Sequence, residues 1–345
     1  MPKQISFLND DIKNSVYELK IILFQLKDKK ILVTGASGHL GYCLLLIFLQ
    51  ANRDFNLNLN IAAISRGKLN QIFLDYENEF LSLKGDLTDH NFINNLEDYD
   101  LIFHLAGYAQ PTKFISDPKS TILINTEAVS LLLNKVNRNG RFLFISSSEV
   151  YTNSNIGKNN EKSIGLITPD HPRSPYILSK LLGEALCSQE LDNSNKKISI
   201  ARLSMTYGPG INVNDSRAVS SFIYQALTKK SIALIDQGAA KREYIYVMDA
   251  IVALIKISLQ GEGHIYNIGA GNEGLITILE TAKIIAKLTG SEVILPEHNF
   301  NLLSARNSVE LDIDKYTAEF GSPYKITFNQ GIDKTIKWFK EEYDF

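Results

Sequence analysis

The chain has 345 residues, of which 44% are hydrophobic and 21% charged, so length and composition exclude a disordered or fibrous protein and suit about two globular domains. Lysine plus arginine (36) nearly balances aspartate plus glutamate (38), which excludes a basic coat for nucleic acid or an anionic membrane. Two cysteines suit a reducing compartment and cannot form a zinc site, so we expect a cytoplasmic protein without a metal.

Short β-branched runs alternate with helical patterns over the first part of the chain. An amphipathic helix is predicted in an N-terminal extension, residues 1–29, where apolar residues recur at helical spacing. Strands are predicted at 30–34, 60–64, 80–84, 101–105, 141–146 and 198–203, and helices at 40–49, 121–136 and 174–191. Such alternation implies parallel pairing, so the predicted fold is α/β, a doubly wound parallel Rossmann sheet.

The alternation breaks at about residue 207, where glycine and proline become more frequent. Helices are predicted there at 219–228, 276–288 and 330–342. We therefore expect a Rossmann domain at 30–206, to which 240–269 returns, and a smaller C-terminal α/β region made of 207–239 and 270–345. The polar segment 151–174 is predicted to be a long loop, and long loops in compact domains are often functional.

A glycine-rich turn follows the first predicted strand directly and leads into an apolar helix. Glycines permit a tight turn and a close approach of a pyrophosphate to a helix N-terminus, where free amides favour an anion. A plain strand-to-helix turn is the alternative, but the strand before and the helix after favour dinucleotide binding. The residues assigned to the cofactor here are Gly35, Ser37, Gly38, His39, Leu40 and Gly41.

The end of the second predicted strand bears on the choice of nicotinamide cofactor. It carries Ser65 and Arg66 in place of the carboxylate that would hold a ribose 2′-hydroxyl, so NADP is favoured over NAD. A solvated basic turn, or stacking of Arg66 on adenine, are the alternatives. Two later strand ends are assigned to the same NAD(P) site: Asp86 with Leu87, and Leu105, Ala106 and Gly107. His104, beside the second of these, is equally a candidate core histidine.

A serine-rich strand end and a Tyr-x-x-x-Lys pattern are the candidate catalytic features. Ser147 lies at the carboxyl end of a predicted strand, where open α/β sheets bind ligands. Tyr176 and Lys180 are four residues apart and share a helix face. Because a free tyrosine has a pKa of about 10, it needs a nearby cation to act as a base at neutral pH. A surface Tyr/Lys pair is the alternative, but together with the glycine turn the pattern predicts proton transfer beside a nicotinamide.

Taken together, these motifs resemble the extended short-chain dehydrogenases/reductases, in the branch of nucleotide-sugar epimerases, dehydratases and decarboxylases. The likeness covers nearly the whole chain, through TGASGHLG, GDLTD, HLAG, SSSEVY, YILSK, TYGPG, KREYIYVMDA and YNIG. It implies NAD(P) binding by the Rossmann domain and substrate binding by the C-terminal region. It also implies a catalytic set of Ser147, Glu149, Tyr176 and Lys180, with Lys180 on the cofactor as well, and substrate contacts from Ser148, Asn125, Arg242 and Arg306.

The resemblance implies conversion of a nucleoside-diphosphate sugar through a 4-keto intermediate. Glu149 favours 4,6-dehydration, where it would be the base at C5, slightly over decarboxylation of a UDP-glucuronate-type sugar, which needs no such base. A 4-epimerase, an NADPH-dependent 4-keto-sugar reductase and a non-catalytic NAD(P)-binding regulatory protein are the alternatives. A homodimer is also implied, through the predicted helices 121–136 and 174–191.

Overall fold

The computed structural model of the chain describes residues 6–154, 157–297 and 309–345. In chain order the strands are β1 (Lys30–Thr34), β2 (Asn60–Ser65), β3 (Leu81–Lys84), β4 (Tyr99–His104), β5 (Val136–Ser147), β6 (Lys158–Asn159), β7 (Lys197–Leu203), β8 (Met205–Tyr207), β9 (Ser231–Ala233), β10 (Lys241–Tyr246), β11 (Ile265–Ile268), β12 (Leu275–Thr277), β13 (Glu292–Ile294) and β14 (Glu310–Leu311). The α-helices are α1 (Ser6–Glu18), α2 (Lys20–Leu23), α3 (His39–Phe55), α4 (His90–Asn94), α5 (Pro111–Ser116), α6 (Pro118–Asn125), α7 (Glu127–Leu133), α8 (Ser174–Asn193), α9 (Ala218–Lys229), α10 (Val247–Gln260), α11 (Ile278–Thr289), α12 (Asp314–Phe320) and α13 (Phe328–Glu342).

A seven-stranded sheet with the order β11-β7-β5-β4-β1-β2-β3 forms the centre of the fold. Neighbouring strands from β3 to β7 pair in parallel, which confirms the predicted doubly wound α/β fold. The chain moves outward from β1 to β3 and then returns to β4 on the other side of β1. Ligands of open α/β sheets bind where the strand order reverses, at the carboxyl ends of the strands. The ends of β1 and β4 therefore mark the expected site.

Helix α3 is apolar on almost every side because other elements cover it on more than one face. Its residues from Gly41 to Leu49 are all buried, and α1 of the N-terminal extension packs against it. Leu8, Val16 and Leu19 of the extension have no exposed surface. A helix that is hydrophobic all round is a buried one. The extension is thus a layer of the core, as its amphipathic pattern predicts.

The predicted helix 121–136 and the strand that follows it differ from the structure in a way that tertiary contacts explain. The predicted helix 121–136 is interrupted at Thr126, whose φ of −126° and ψ of −77° are not helical, and it ends at Leu133. The interruption lies where α8 passes closely, since a Cβ on Gly183 would be 2.5 Å from the Asn125 carbonyl oxygen. Residues 136–140 belong to β5 instead, although they include Asn139 with a left-handed φ of 64°.

Contacts between Cα atoms divide the chain into two compact units. Unit 1 comprises Met1–Val150, Ile167–Leu203 and Ile251–Tyr266, and unit 2 comprises Tyr151–Leu166, Ser204–Ala250 and Asn267–Phe345. These bounds differ from the predicted ones. Residues 151–166, 204–206, 240–250 and 267–269 belong to unit 2 instead of the Rossmann domain, and the N-terminal extension belongs to unit 1.

Unit 2 is built on small sheets and an aromatic core. Strands β12, β10 and β8 form a three-stranded sheet, while β13 pairs with β9 and β14 with β6. Tyr207 contacts the rings of Tyr244, Tyr246 and Phe328, at centroid distances of 5.0 to 6.0 Å. Capping boxes at Thr277 and Thr327 fix the starts of α11 and α13. In the described parts of both units, no helix is long and apolar enough to cross a membrane.

Candidate active site

The glycine turn between β1 and α3 has the geometry of an anion cradle. Gly35 has a left-handed φ of 69°, and a Cβ there would be 2.7 Å from the Ala106 nitrogen. A Cβ on Gly41 would be 2.3 Å from the Gly35 oxygen, so both positions require glycine. Within the described chain no side chain caps the start of α3 at Gly38. The helix dipole makes this end of α3 favourable for an anion.

The remaining predicted residues of this turn surround the helix start. Ser37 and Gly38 are exposed, and His39 and Leu40 are partly buried. The turn also contacts the end of β4, through Gly35 and Ala106, as a shared cofactor site requires.

His104 is a structural histidine that joins β4 to the elements around it. Its Nδ1 lies 2.9 Å from Thr34 Oγ1, and its Nε2 lies 3.0 Å from the Ile124 carbonyl oxygen. The carbonyl can only accept a hydrogen bond, so Nε2 carries the hydrogen and donates it, and Nδ1 accepts a hydrogen bond from the threonine hydroxyl. Burial and the nearby Lys180 lower the pKa of His104 to about 3. The ring is neutral and holds the HLAG segment against the glycine turn.

Ser65, Arg66 and Asp86, at the ends of β2 and β3, have hydrogen-bond partners within the protein. Ser65 is buried, and its hydroxyl donates to the Gly67 carbonyl at 2.7 Å. The Arg66 guanidinium lies 4.7 Å from the centre of the Tyr108 ring and donates to its hydroxyl. Asp86 accepts hydrogen bonds from the backbone and hydroxyl of the threonine two residues on, both at 2.9 Å. Leu87 after it is buried.

Lys180 on α8 connects the end of β4 to the end of β5. Its Nζ donates to the Ile145 carbonyl at 2.7 Å, and a Cβ on Gly107 would be 3.6 Å from the same Nζ. Desolvation by burial lowers the pKa of Lys180 to about 7, although the carboxylate of Glu184 opposes this shift. The motifs of the glycine turn, of β4, of β5 and of α8 therefore meet at one place in unit 1.

Tyr176 precedes this lysine on α8, and Ser147 ends the strand whose carbonyl the lysine contacts; both side chains are nearly buried. Tyr176 lies one turn before Lys180, whose Nζ is 5.9 Å from the tyrosine ring centre. The Tyr176 ring stacks on Phe114 with a centroid distance of 4.7 Å and an interplanar angle of 9°. Ser147 ends β5, two residues beyond the carbonyl that Lys180 contacts. The arrangement suits proton transfer by the phenol, with the ammonium stabilising its anion.

Glu149 is held by Arg173 in a two-pronged ion pair. Nη2 of Arg173 lies 2.6 Å from both carboxylate oxygens, and Nε lies 3.0 Å from one of them. Both side chains are only 14% exposed. The backbone of Glu149 donates to Ser147 Oγ at 3.2 Å. Ser148, on the same short turn, is partly buried.

A second buried ion pair involves the helix that carries Tyr176 and Lys180. Glu184, one turn after Lys180, accepts from Ser146 Oγ at 2.5 Å and from Arg202 at 2.6 to 3.2 Å. All three residues are less than 9% exposed. The pair ties α8 to β7 and to the strand end that carries Ser147.

Two of the predicted substrate contacts have a different or undescribed placement. Asn125 has no exposed surface, and its amide donates to Thr121 O and Ser179 Oγ at 3.0 and 2.9 Å. Its Oδ1 is buried and has no hydrogen-bond partner within the described chain, and the sugar contact of Asn125 stays a prediction. Arg242 lies on β10 of unit 2 and is partly buried. Arg306 lies outside the described residues.

Three residues of the site were not assigned a role from the sequence, namely Arg173, Phe114 and Glu184. The sequence signal for Arg173 was the Arg-Ser pair just before Tyr176, where the chain resembles UDP-glucuronate decarboxylases. Phe114 and Glu184 carry no local signal, since each reads as an ordinary helix residue. Across the described ranges no group of three or more metal-binding side chains is gathered.

Comparisons with known proteins agree with this geometry. The sequence profile described as "NAD dependent epimerase/dehydratase family" matches residues 31–269. UDP-glucuronic acid decarboxylase 1 of Danio rerio is 29% identical over 320 residues, covering 92% of this chain and 74% of the relative. The dTDP-glucose 4,6-dehydratase of Streptomyces niveus is 24% identical over 321 residues, covering 90% and 93%.

A solved structure has the same fold over almost the whole chain. It is MoeE5 in complex with UDP-glucuronic acid and NAD, with a TM-score of 0.73 and 23% identity, covering 91% of this chain and 99% of that one. Because the family profile matches well over half of the residues, including every motif of the site in unit 1, this chain belongs to the NAD-dependent epimerase/dehydratase family.

Proposed function

We propose that this protein is an NAD-dependent enzyme that converts a nucleoside-diphosphate sugar through a 4-keto intermediate, with decarboxylation of a UDP-glucuronate-type sugar as its reaction. The observation that carries the proposal is the meeting of Gly35 with Ala106, of Gly107 with Lys180 and of Lys180 with the end of β5. These contacts bring a dinucleotide cradle and a proton-transfer pair into one site. The relatives named decarboxylase and dehydratase support the same class of reaction.

The chain's residues fit a bound NAD. Glycines at positions 35 and 41 leave room that a Cβ would fill, and the uncapped start of α3 suits the pyrophosphate. Lys180 would hold the nicotinamide ribose. When bound, NAD supplies the acceptor for the hydride of the sugar C4 and returns that hydride at the end of the cycle.

The side chains of unit 1 would transfer protons to and from the sugar and would hold it in position. Tyr176 takes the proton of the 4-hydroxyl and later returns it, while the Lys180 ammonium stabilises the phenolate. Ser147 donates a hydrogen bond to the same sugar oxygen. The 4-ketone makes the C6 carboxylate labile, so carbon dioxide leaves as the C5–C6 bond breaks and the electron pair passes into the C4–C5 enolate. A proton from solvent water then adds to C5 and restores the 4-ketone, which the returning hydride reduces at C4.

The ion pair of Glu149 favours decarboxylation over dehydration. Dehydration needs a free base for the C5 hydrogen, and Glu149 was the candidate for it. Both oxygens of the Glu149 carboxylate already accept hydrogen bonds from Arg173, so this pair would have to open before Glu149 could remove that hydrogen. Decarboxylation needs no base at C5. The second candidate reaction, 4,6-dehydration, rests on the position of Glu149 two residues after Ser147.

A substrate panel read by mass spectrometry tests the function. Purified protein with NAD is incubated with UDP-glucuronate, UDP-glucose and dTDP-glucose. We expect loss of carbon dioxide from UDP-glucuronate and no product from Tyr176→Phe. Loss of water from a hexose would replace the proposal with dehydration, and an isomer of unchanged mass would replace it with epimerisation. No change in any sugar by protein that binds NAD would refute it.

The preference between NAD and NADP remains a prediction, tested by calorimetry with both. The family and the NAD-bound neighbour support NAD. The exposed Arg66 at the end of β2 supports NADP, since it offers a cation to a 2′-phosphate. If Arg66 has that role, Arg66→Ala weakens NADP at least about tenfold and leaves NAD unchanged.

We also propose that the protein is a homodimer through α6 and α8. Ile122 on α6 and Leu178 and Leu182 on α8 are 41%, 38% and 52% exposed. Exposed apolar residues grouped on neighbouring helices are typical of an interface. Light scattering should give twice the chain mass for the wild type and a monomer for Leu182→Glu. A monomeric wild type would refute this proposal.

A further inference from the structure

The Glu149–Arg173 pair lies within one helical turn of both reacting side chains. Glu149 is two residues after Ser147 and its amide contacts that hydroxyl. Arg173 is three residues before Tyr176. Its guanidinium lies 4.9 Å from the centre of the Phe114 ring, and that ring stacks directly on Tyr176. A sugar bound to Ser147 and Tyr176 therefore has this ion pair as a near neighbour.

The position of Arg173 is fixed from both its backbone and its side chain. Its amide donates to His171 Nδ1 at 3.2 Å, and its carbonyl accepts from Ile177 in the first turn of α8 at 3.1 Å. The planar guanidinium is held on one side by a carboxylate and on its face by an aromatic ring. Such a side chain is pre-organised, so it neutralises Glu149 without further ordering when a substrate arrives.

Charge neutralisation matters most for an anionic sugar. A nucleoside-diphosphate uronate carries one more negative charge than the corresponding hexose, at C6. A free Glu149 carboxylate near that group would repel it, and the repulsion is strong in a largely buried site. A neutral hexose would feel no such effect. The pair thus discriminates between the two classes of sugar by removing a repulsion.

We propose that Arg173 is a specificity-determining residue, which admits a uronate to the site by neutralising Glu149. The inference rests on the proposed function and deepens it. Its test measures binding by calorimetry of UDP-glucuronate and UDP-glucose to NAD-saturated protein, all in a Tyr176→Phe background that prevents turnover. The variants are Arg173→Met, Glu149→Gln and the two combined.

The expected result is a change that depends on the sugar. Arg173→Met weakens UDP-glucuronate at least about tenfold and UDP-glucose less than about threefold. Adding Glu149→Gln restores UDP-glucuronate binding, because the repelling charge is gone. Glu149→Gln alone leaves Arg173 unpaired and raises the preference for UDP-glucuronate, which tests the idea even if Arg173→Met does not fold.

Other outcomes would overturn the inference in separate ways. Equal weakening of both sugars by Arg173→Met, with no rescue by Glu149→Gln, would assign Arg173 a purely structural role. An unchanged preference in Glu149→Gln would do the same. A Tyr176→Phe parent that binds NAD but neither sugar would instead overturn the proposed function, and this inference with it.

Discussion

Lys180→Met should stabilise the cofactor-free protein at low pH. Burial lowers the pKa of this lysine from 10.5 to about 7, so below pH 7 the folded protein holds an ammonium that it desolvates. At about 1.4 kcal/mol per pKa unit, this costs about 5 kcal/mol of folding free energy below pH 7. The cost declines between pH 7 and 10.5, since only the unfolded lysine stays charged there.

The variant also loses a hydrogen bond, because methionine cannot donate one, and this loss opposes the gain in stability. Nζ of Lys180 donates to the Ile145 carbonyl at 2.7 Å, and losing such a bond costs about 1.5–3 kcal/mol when the donor is charged. The net effect is a gain of about 2–3 kcal/mol at pH 6. By pH 9.5 the desolvation cost has fallen by about 3 kcal/mol, so the gain vanishes.

Urea unfolding of nucleotide-free protein at pH 6 and pH 9.5 measures this difference. Lys287→Met is the matched control, because Lys287 is an exposed residue of α11, and it should change stability equally at both pH values. A Lys180→Met variant that is less stable than the wild type at pH 6, or equally shifted at both pH values, would show that the lysine is not desolvated. The same variant should lose all sugar turnover.

Three further predictions concern the cofactor turn, the buried histidine and the second ion pair. Gly41→Ala places a methyl group 2.3 Å from a backbone oxygen, so the NAD affinity measured by calorimetry should fall at least about tenfold. Gly157→Ala is the control, because a Cβ there meets no atom within 4 Å, and it should not change the affinity. Equal NAD affinities of Gly41→Ala and the wild type would place NAD elsewhere. His104→Phe should cost about 2–4 kcal/mol in urea unfolding at pH 8. Because the pKa of His104 in the native protein is about 3, the wild-type ring gains a proton at pH 5 only in the unfolded state. The loss of stability caused by His104→Phe should therefore be smaller at pH 5 than at pH 8, by about 2 kcal/mol. A larger loss at pH 5 would mean that the native ring is protonated. Glu184→Gln leaves the Arg202 charge buried and should cost about 3–5 kcal/mol in urea unfolding, and a loss under about 1 kcal/mol would contradict a desolvated pair.

Much of the fold could be predicted because most sheet strands are short apolar runs that alternate with helical patterns. The first strand, 30–34, has the predicted bounds, and β2, β3 and β7 differ from prediction by one residue at an end. The glycine turn could also be predicted, because the positive φ of Gly35 and the closeness of Gly41 to the Gly35 oxygen are features of the local chain. These features depend on neighbours in sequence or on strand periodicity, which a single sequence contains.

Features that depend on tertiary contacts were not predictable. The helical pattern from residue 121 continues through Thr126, and only the approach of Gly183 marks where it is interrupted. Glu149 and Arg173 are 24 residues apart across an irregular loop, so their pairing has no periodic signature. This pairing changes the order of the proposed reactions, since the sequence favoured dehydration from the carboxylate alone.

The packing of α1 on α3 has a practical consequence for N-terminal truncation of the protein. Residues before β1 resemble a dispensable leader, yet Leu8, Val16 and Leu19 have no exposed surface, and Glu18 pairs with Lys256 of α10 at 3.0 Å. A shortened chain that starts at β1 would open the outer side of the helix whose first turn forms the cofactor cradle. Removing this cover would therefore perturb the proposed dinucleotide site through α3, although α1 is distant from the glycine turn in the sequence.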